Sequence, residues 1–305
     1  MLVGANLKQH LQAVAAREIR AIHLLKPAKQ ITLFCGPHLY QPDAEKKLEA
    51  LSQYRKIIDA LIPQAPNIAQ PYLWHKDLHG ENIYVDPDDP GKLTGIIDWQ
   101  SCHVSPLFNH NPDPAFLNWD GLEPGILEPA PSAKLSGISH EDRSAAVREY
   151  ADQNVFIKWR KLMHAENPAL YQAVKYRKTA AYELMHLSNR MYEYGEAHFQ
   201  SLLVDLKDTW RDLPTVASDT PFPFTFSDED IERTQRNADD AVAGADLATA
   251  ARKNLGVLWP GKGFVEHERY DECKAALDNV KDLILQQLAE TDKEREEYER
   301  HWPFD

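Results

Sequence analysis

Apolar residues recur at three- and four-residue spacing along most of this chain, and only a few short stretches break that rhythm. Leu7, Leu11, Val14, Ile22 and Leu25 share one helical face, which predicts a first helix over about 5–25 that stops before Pro27. Leu48, Leu51, Ile58, Leu61 and Ile62 mark a second helix over about 43–62, with Asp43 at its start and Pro63 after its end. Residues 31–35 between them are a short strand candidate ended by Gly36-Pro37. The period then changes. Residues 83–86 and 93–98 read as the two strands of a β-hairpin, because 87–91 places proline and glycine at turn positions. From 105 to 138 the chain is rich in Pro, Gly and Asn and forms an extended segment that needs a surface to lie on.

Helices are expected beyond it over about 140–166, 169–195, 197–211, 228–254 and 266–300. Ser139-His-Glu-Asp142 and Ser227-Asp-Glu-Asp230 are capping-box starts, in which the serine oxygen and a carboxylate satisfy free N–H groups of the first turn. The aromatics of 221–226 are expected to plug a groove, and Trp159, Tyr176, Tyr182, Met185 and Met191 to pack between helices. The fold class is α+β, predominantly helical, without internal repeats.

Charge narrows the choice of partner. With 34 Lys+Arg against 47 Asp+Glu the formal net charge is −13, the wrong sign for a surface that binds nucleic acid by releasing counterions. No uncharged apolar run reaches the ~18 residues of a transmembrane segment. Cys35, Cys102 and Cys273 are odd in number and far apart, which suggests no disulfide framework and fits a reducing, intracellular compartment. Residues 1–42 contain five Lys/Arg and one acid, a composition shared with mitochondrial presequences. They contain no serine and carry a defined apolar face, so an ordinary docking helix is expected.

One stretch carries chemistry: His75-Lys-Asp-Leu-His-Gly-Glu-Asn82, then the hairpin, then Ile96-Ile-Asp-Trp99. Phosphoryl transfer from Mg·ATP needs a carboxylate to orient the acceptor hydroxyl, and an oxygen ligand plus a second carboxylate to hold magnesium. Asp77 and Asn82 stand five apart, as do the corresponding residues of a kinase catalytic loop, and Asp98 follows the hairpin. A zinc site on His75 and His79 is the competing reading, but Gly80 and the β-rich 83–85 disfavour the helix that would align them, and zinc leaves Asn82 and Asp98 unexplained. His103 and His110 fall in the segment after Asp98, where an acceptor could lie, but a plain surface role is expected of them. Gly261-Lys-Gly263 lacks the upstream glycine and the following Ser/Thr of a phosphate-binding loop.

The order His75-x-Asp77-x-His79-x-x-Asn82, then Ile97-Asp98-Trp99, resembles the signature of the aminoglycoside/choline phosphotransferase family, the small-molecule branch of the protein-kinase-like fold. The fuller strings over 73–83 and 95–104 are similar to a fungal subgroup that includes the altered-inheritance-of-mitochondria phosphotransferase-like proteins. The specific match covers about 70–121. The resemblance implies ATP-dependent phosphorylation of a small-molecule hydroxyl, with Asp77 as catalytic base and Asn82 and Asp98 on Mg²⁺. It implies His79 facing the ATP phosphates, His75 buttressing the loop, and a mitochondrial or cytoplasmic location. Gln100 stands where the commoner string has Glu, which argues against an aminoglycoside acceptor.

The family also has a small lobe upstream of the loop, with a glycine-rich hairpin over the phosphates and a strand lysine. Here the 76 residues before Asp77 hold only Gly4 and Gly36. The expectation is therefore one large (C-terminal) lobe over 1–305, with the site at about 70–121 and a helical remainder at about 139–305. Such a chain is either a truncated sequence or a protein that has lost the lobe, and is weakly active or inactive alone. The alternative function is a non-catalytic, pseudokinase-like interaction module.

Overall fold

Helices dominate the computed structural model, which describes residues 6–25, 34–114, 117, 119, 121, 123, 127–128, 139–260 and 264–304. In chain order its elements are α1 (Leu7–Leu24), α2 (Ala44–Leu61), α3 (Pro66–Ala69), β1 (Pro71–Trp74), β2 (Ile83–Val85), β3 (Leu93–Ile96) and β4 (His103–Pro106). There follow α4 (His140–Glu166), α5 (Pro168–Tyr176), α6 (Ala180–Ser188), α7 (Met191–Tyr194), α8 (Ala197–Thr209), α9 (Asp228–Leu255), α10 (Tyr270–Leu288) and α11 (Asp292–Arg300). No helix among the described residues is long and apolar enough to cross a membrane. The described residues divide into two compact units, one over Ile62–Tyr182 with the start of α1, the other over Leu11–Leu61 and Glu183–Asp305.

The first unit carries the motif. Its strands form two antiparallel pairs, β2 with β3 and β1 with β4. The β2–β3 hairpin matches the expectation, with Ile83 opposite Ile96 and a bulge at Tyr84/Val85. Asp86 closes the turn through its N–H to the Lys92 carbonyl and its carboxylate to the Lys92 ammonium, 3.0 Å away. The β1–β4 pair was not expected from the pattern. Each strand has four residues and a proline at one end, and Pro71 pairs with Pro106, Trp74 with His103. Neither is long enough to display a two-residue period, and their partnership is non-local. The helical side of the unit buries Phe156, Ile157 and Met163 of α4 and Leu170, Ala173 and Val174 of α5. Phe108 presents its ring to the edges of Tyr176 and Tyr182, 5.2 and 6.3 Å away.

In the second unit α8 packs along α9, whose Ala238, Gly244, Ala248 and Ala251 keep the surface low enough for close approach. Phe34 joins Trp259, Trp302 and Phe304 in an aromatic cluster over Ala251, Leu255, Cys273 and Leu277. Gly36 crosses α9 so tightly that a Cβ there would lie 2.2 Å from the Asp240 carbonyl oxygen. Gly195 ends α7 at φ 89, a backbone conformation that side chains with a Cβ disfavour. The buried stripe of α1 is Leu11, Ala15 and Glu18, not a wholly apolar face, and Leu25 is exposed. Glu18 is placed there by a bond: its Oε2 accepts from the Tyr192 N–H at 3.0 Å. On α2 the stripe is centred on Tyr54, which was not on the expected face and lies edge-on to Phe199.

Two long helices predicted from periodicity are broken. The stretch 169–195 becomes α5, α6 and α7, interrupted by a turn at 177–179 in which the Thr179 hydroxyl accepts from the Tyr182 N–H at 3.3 Å. The stretch 266–300 becomes α10 and α11, separated at 289–291. Thr291 and Glu294 form a capping box, with the N–H groups of Glu290 and Thr291 donating to the Glu294 carboxylate at 2.8 and 3.1 Å. Of the 31–35 strand candidate, 31–33 lie outside the described residues, and Phe34 and Cys35 belong to no strand. Most of 115–138 and all of 261–263 also lie outside them. Ser139 and Ser227 cap α4 and α9 as expected, and only the second completes the reciprocal box. Phe222 of the 221–226 connector lies edge-on to Trp210 at 5.3 Å, and Phe224 sits under the Lys56 ammonium at 5.7 Å.

Candidate functional site

The loop between β1 and β2 is held by short-range bonds that its own sequence dictates. The His79 N–H donates to the Asp77 carbonyl and the Asn82 N–H to the His79 carbonyl, both at 3.1 Å. Asn82, only 5% exposed, ties the loop from within. Its Nδ2 donates to the Asp77 carbonyl at 2.8 Å and to Nε2 of His79 at 3.1 Å. A carbonyl can only accept, so these bonds fix which end of the carboxamide is nitrogen. Oδ1 is left as the side chain's acceptor. The Asp77 carboxylate is about half exposed and comes within 3.8 Å of His79 Nε2, too far for a hydrogen bond.

Asp98 reaches the same place through the hairpin. The Ile97 N–H donates to the Asn82 carbonyl at 3.0 Å, so β2 and β3 bring the metal-ligand candidates to neighbouring backbone positions. Two side chains grip the carbonyls just before Asp98: Trp99 Nε1–H donates to Ile96 and His75 Nε2–H to Ile97, both at 2.8 Å. The His75 and Trp99 rings meet edge-to-face at 5.0 Å. Asp98 itself stands at φ 66, ψ 47. For a residue with a Cβ this left-handed conformation costs on the order of 1 kcal/mol, which aspartate tolerates better than most. Its Oδ1 is buried without a hydrogen-bond partner among the described residues.

An unpartnered buried carboxylate oxygen is costly unless something positive completes it. The oxygens of Asn82 and Asp98 are hard donors of the kind magnesium takes, together with water and phosphate. These residues fit such an ion. No group of three or more His, Cys, Asp or Glu side chains among the described residues is placed to share a metal. His75 spends its Nε2 on a carbonyl rather than facing His79 across a helix turn.

Beside the loop lies a cavity of about 590 Å³, within the size range of small-molecule sites. Lys76 and Leu78, the residues flanking Asp77, line it, as do the indoles of Trp74, Trp99 and Trp159. His103 and His110 line it too, which corrects the surface placement expected for them. His110 is 2% exposed, stacks on Trp74 at 4.9 Å and 6°, and meets His103 edge-to-face at 4.8 Å. Its Nε2–H is shared between the carbonyls of Tyr72 and Ser105 at 3.1 and 3.0 Å, bridging β1 and β4. Burial, the larger cause, and the positive charge of Lys76 hold the His103 imidazole below its ordinary pKa. For His110, burial and His103 outweigh the opposing pull of the two carbonyls.

Asp113 in the lining belongs to a buried ion-pair network that sequence spacing could not reveal. Arg160, 2% exposed, meets both oxygens of Asp113 and both of Glu123, with distances of 2.9 Å to Asp113 Oδ2 and 2.8 Å to Glu123 Oε2. Burial works against its charge, but the bonds and charges of the two carboxylates prevail and raise its pKa. Trp159 adds a 3.1 Å bond from its indole N–H to Asp113. The only advance signal was a charged residue inside the apolar stripe of α4.

Comparison with known proteins points the same way over part of the chain. Residues 2–109 match the model of the phosphotransferase enzyme family. Two subtelomeric hrmA-associated cluster proteins, from two strains of Aspergillus fumigatus, are each 22% identical over 309 aligned positions, covering 99% of this chain and 58% of theirs. The chain thus spans under two thirds of the length of these relatives. No solved structure matches it.

Proposed function

We propose that this chain carries the catalytic loop and magnesium hairpin of an ATP-dependent phosphotransferase acting on a small-molecule hydroxyl. The observation that carries this reading is the bonding of Asn82. One buried carboxamide locks the Asp77 backbone and the His79 ring together, while the next strand delivers Asp98 with an oxygen that lacks a partner. The family match over 2–109 supports it and includes every one of these residues. On this reading the kinase-like large-lobe topology surrounds the loop.

Asp77 accepts the proton of the acceptor hydroxyl as that oxygen bonds to the γ-phosphorus and the bond to the departing ADP breaks. Its partial exposure leaves it reachable, and its main chain is fixed by Asn82. Asn82 Oδ1 and Asp98 would hold magnesium, which when bound supplies positive charge against the phosphate oxygens. His79, oriented by Asn82 Nδ2, faces the phosphates. His75 and Trp99 set the direction of Asp98 by holding the two carbonyls before it.

In the parent family the phosphates are covered by a separate small lobe, so nucleotide binding comes before turnover as a readout for the 305-residue chain. Mg·ATP is expected to raise the melting temperature of the wild type and of Asp77→Asn alike. Phosphoryl transfer by a version extended to include a small lobe is expected to be abolished in Asp77→Asn. Unchanged transfer in that variant would remove Asp77 from the mechanism. No response to Mg·ATP, with a stable protein partner recovered instead, would favour the non-catalytic interaction module.

A further inference from the structure

Apolar surface and a single uncompensated charge meet in the cavity beside the loop. Leu73 and Trp99 line it and are both exposed, and Leu78 and Trp159 extend the apolar wall. An apolar body seated on such side chains takes them out of water, which stabilises the complex in proportion to the area covered. The volume of about 590 Å³ suits a small organic molecule rather than a bare ion. Two residues of the lining, Lys76 and Asp113, carry a full charge at neutral pH, and they are not equivalent. The Asp113 carboxylate is already engaged: it accepts from Trp159 Nε1–H at 3.1 Å, and both its oxygens meet the Arg160 guanidinium. Glu123, the other carboxylate on Arg160, does not line the cavity. Lys76 is exposed and makes no hydrogen bond or ion pair among the described residues.

The charge of Lys76 reaches the rest of the lining. After burial it is a further cause that holds the His103 imidazole below its ordinary pKa, and it adds to the same effect on His110. Both rings are thereby kept neutral at pH 7, and Lys76 is left as the cation of the lining without a counter-charge. We infer that the cavity takes an anionic amphiphile, an apolar or aromatic hydroxyl compound bearing a carboxylate, with the Lys76 ammonium as the partner of that carboxylate and Leu73 and Trp99 against its apolar body. On the phosphotransferase reading, on which this part of the assignment rests, the compound is the acceptor and Lys76 determines specificity, because Lys76 and Leu78 flank Asp77 in the loop and both line the cavity. An ammonium-bearing acceptor would meet a like charge at Lys76 and find the carboxylate of the lining already engaged.

Three phenols of similar size test the site without nucleotide. 3-(4-Hydroxyphenyl)propionate, 4-ethylphenol and tyramine share a ring and hydroxyl and differ in the charge of a short arm. Ligand-observed NMR on the 305-residue chain at low salt is expected to show the carboxylate binding at least threefold tighter than 4-ethylphenol and at least tenfold tighter than tyramine. Added salt is expected to narrow both margins. Unspecific adsorption to a chain of net charge −13 would give the reverse order, so the ranking reports the local charge. Lys76→Gln is expected to bind the carboxylate no better than 4-ethylphenol, with an unchanged affinity for 4-ethylphenol that verifies an intact cavity. Lys76→Glu is expected to prefer tyramine, and this inversion decides the matter if Lys76→Gln loses the neutral phenol as well. No binding of the carboxylate, equal or tighter binding of tyramine by the wild type, or a preference for the carboxylate that survives both substitutions would overturn the inference. The expected ranking in a chain that Mg·ATP does not stabilise would count against the phosphotransferase reading and leave the anion site standing; stabilisation by Mg·ATP without the ranking would do the reverse.

Discussion

Asp98 shows at the scale of one residue how a site can be set against stability. Its carboxylate has a buried oxygen without a partner, and its backbone sits at φ 66. Leaving such an oxygen unpaired costs about 1–3 kcal/mol. Asn has nearly the same shape, tolerates the left-handed conformation, and removes the charge. Asp98→Asn is therefore expected to unfold in urea at the same or a higher midpoint than the wild type and, on the phosphotransferase reading, to lose the stabilisation expected from Mg·ATP. An unfolding free energy lowered by more than about 2 kcal/mol would show instead that the carboxylate has a structural partner.

His110 makes a second prediction at this scale, and its sign follows from its pKa. Burial first, then His103, lower the imidazole in the folded chain below its ordinary value of 6.5. As the pH falls past that value the unfolded chain takes up a proton that the folded chain refuses, so the unfolded state gains. The contribution is fully present above about 6.5 and is lost as the pH drops through the depressed folded value. Unfolding free energy measured by urea between pH 7.5 and 5 is expected to fall less steeply in His110→Phe than in the wild type. Equal slopes would mean that this ring is not held neutral by its surroundings. The sequence showed His110 only as a polar residue among Pro and Asn; its burial depends on Trp74 and on two strand carbonyls from elsewhere in the chain.

Elements were legible where their signals were local. The cap at Ser227, the ends of α2, and the β2–β3 hairpin follow from residues that touch within a few positions of each other. The failures were of two kinds. Breaks inside continuous apolar periods were missed at 177–179 and 289–291, although Thr291-x-x-Glu294 carries its own capping-box signal. Strands β1 and β4 were missed because nothing within four residues distinguishes them; each exists through the other. The Thr291 box explains why α11 starts where it does. Thr291→Ala is expected to cost about 1 kcal/mol in urea unfolding and to speed hydrogen exchange at the Glu294 amide, the group the hydroxyl accepts from. No change at that amide would assign the break between α10 and α11 to packing alone.

Across the whole molecule, the chain by itself determined the α-rich class, the net charge of −13, and the loop bearing Asp77, His79, Asn82 and Asp98. These are properties of composition, of helical period, and of spacing within about two dozen residues. On the phosphotransferase reading, such a loop is legible this way because its chemistry demands particular atoms at particular separations along one strand–loop–strand run. Tertiary structure alone decided which groups would be buried without their natural partners. The orphaned oxygen of Asp98, the burial of His110 and the Arg160–Asp113–Glu123 network all depend on neighbours distant in sequence. Desolvation is the physical reason: a polar residue keeps its water until other segments fold over it, and only then does it become a costly defect or a binding site.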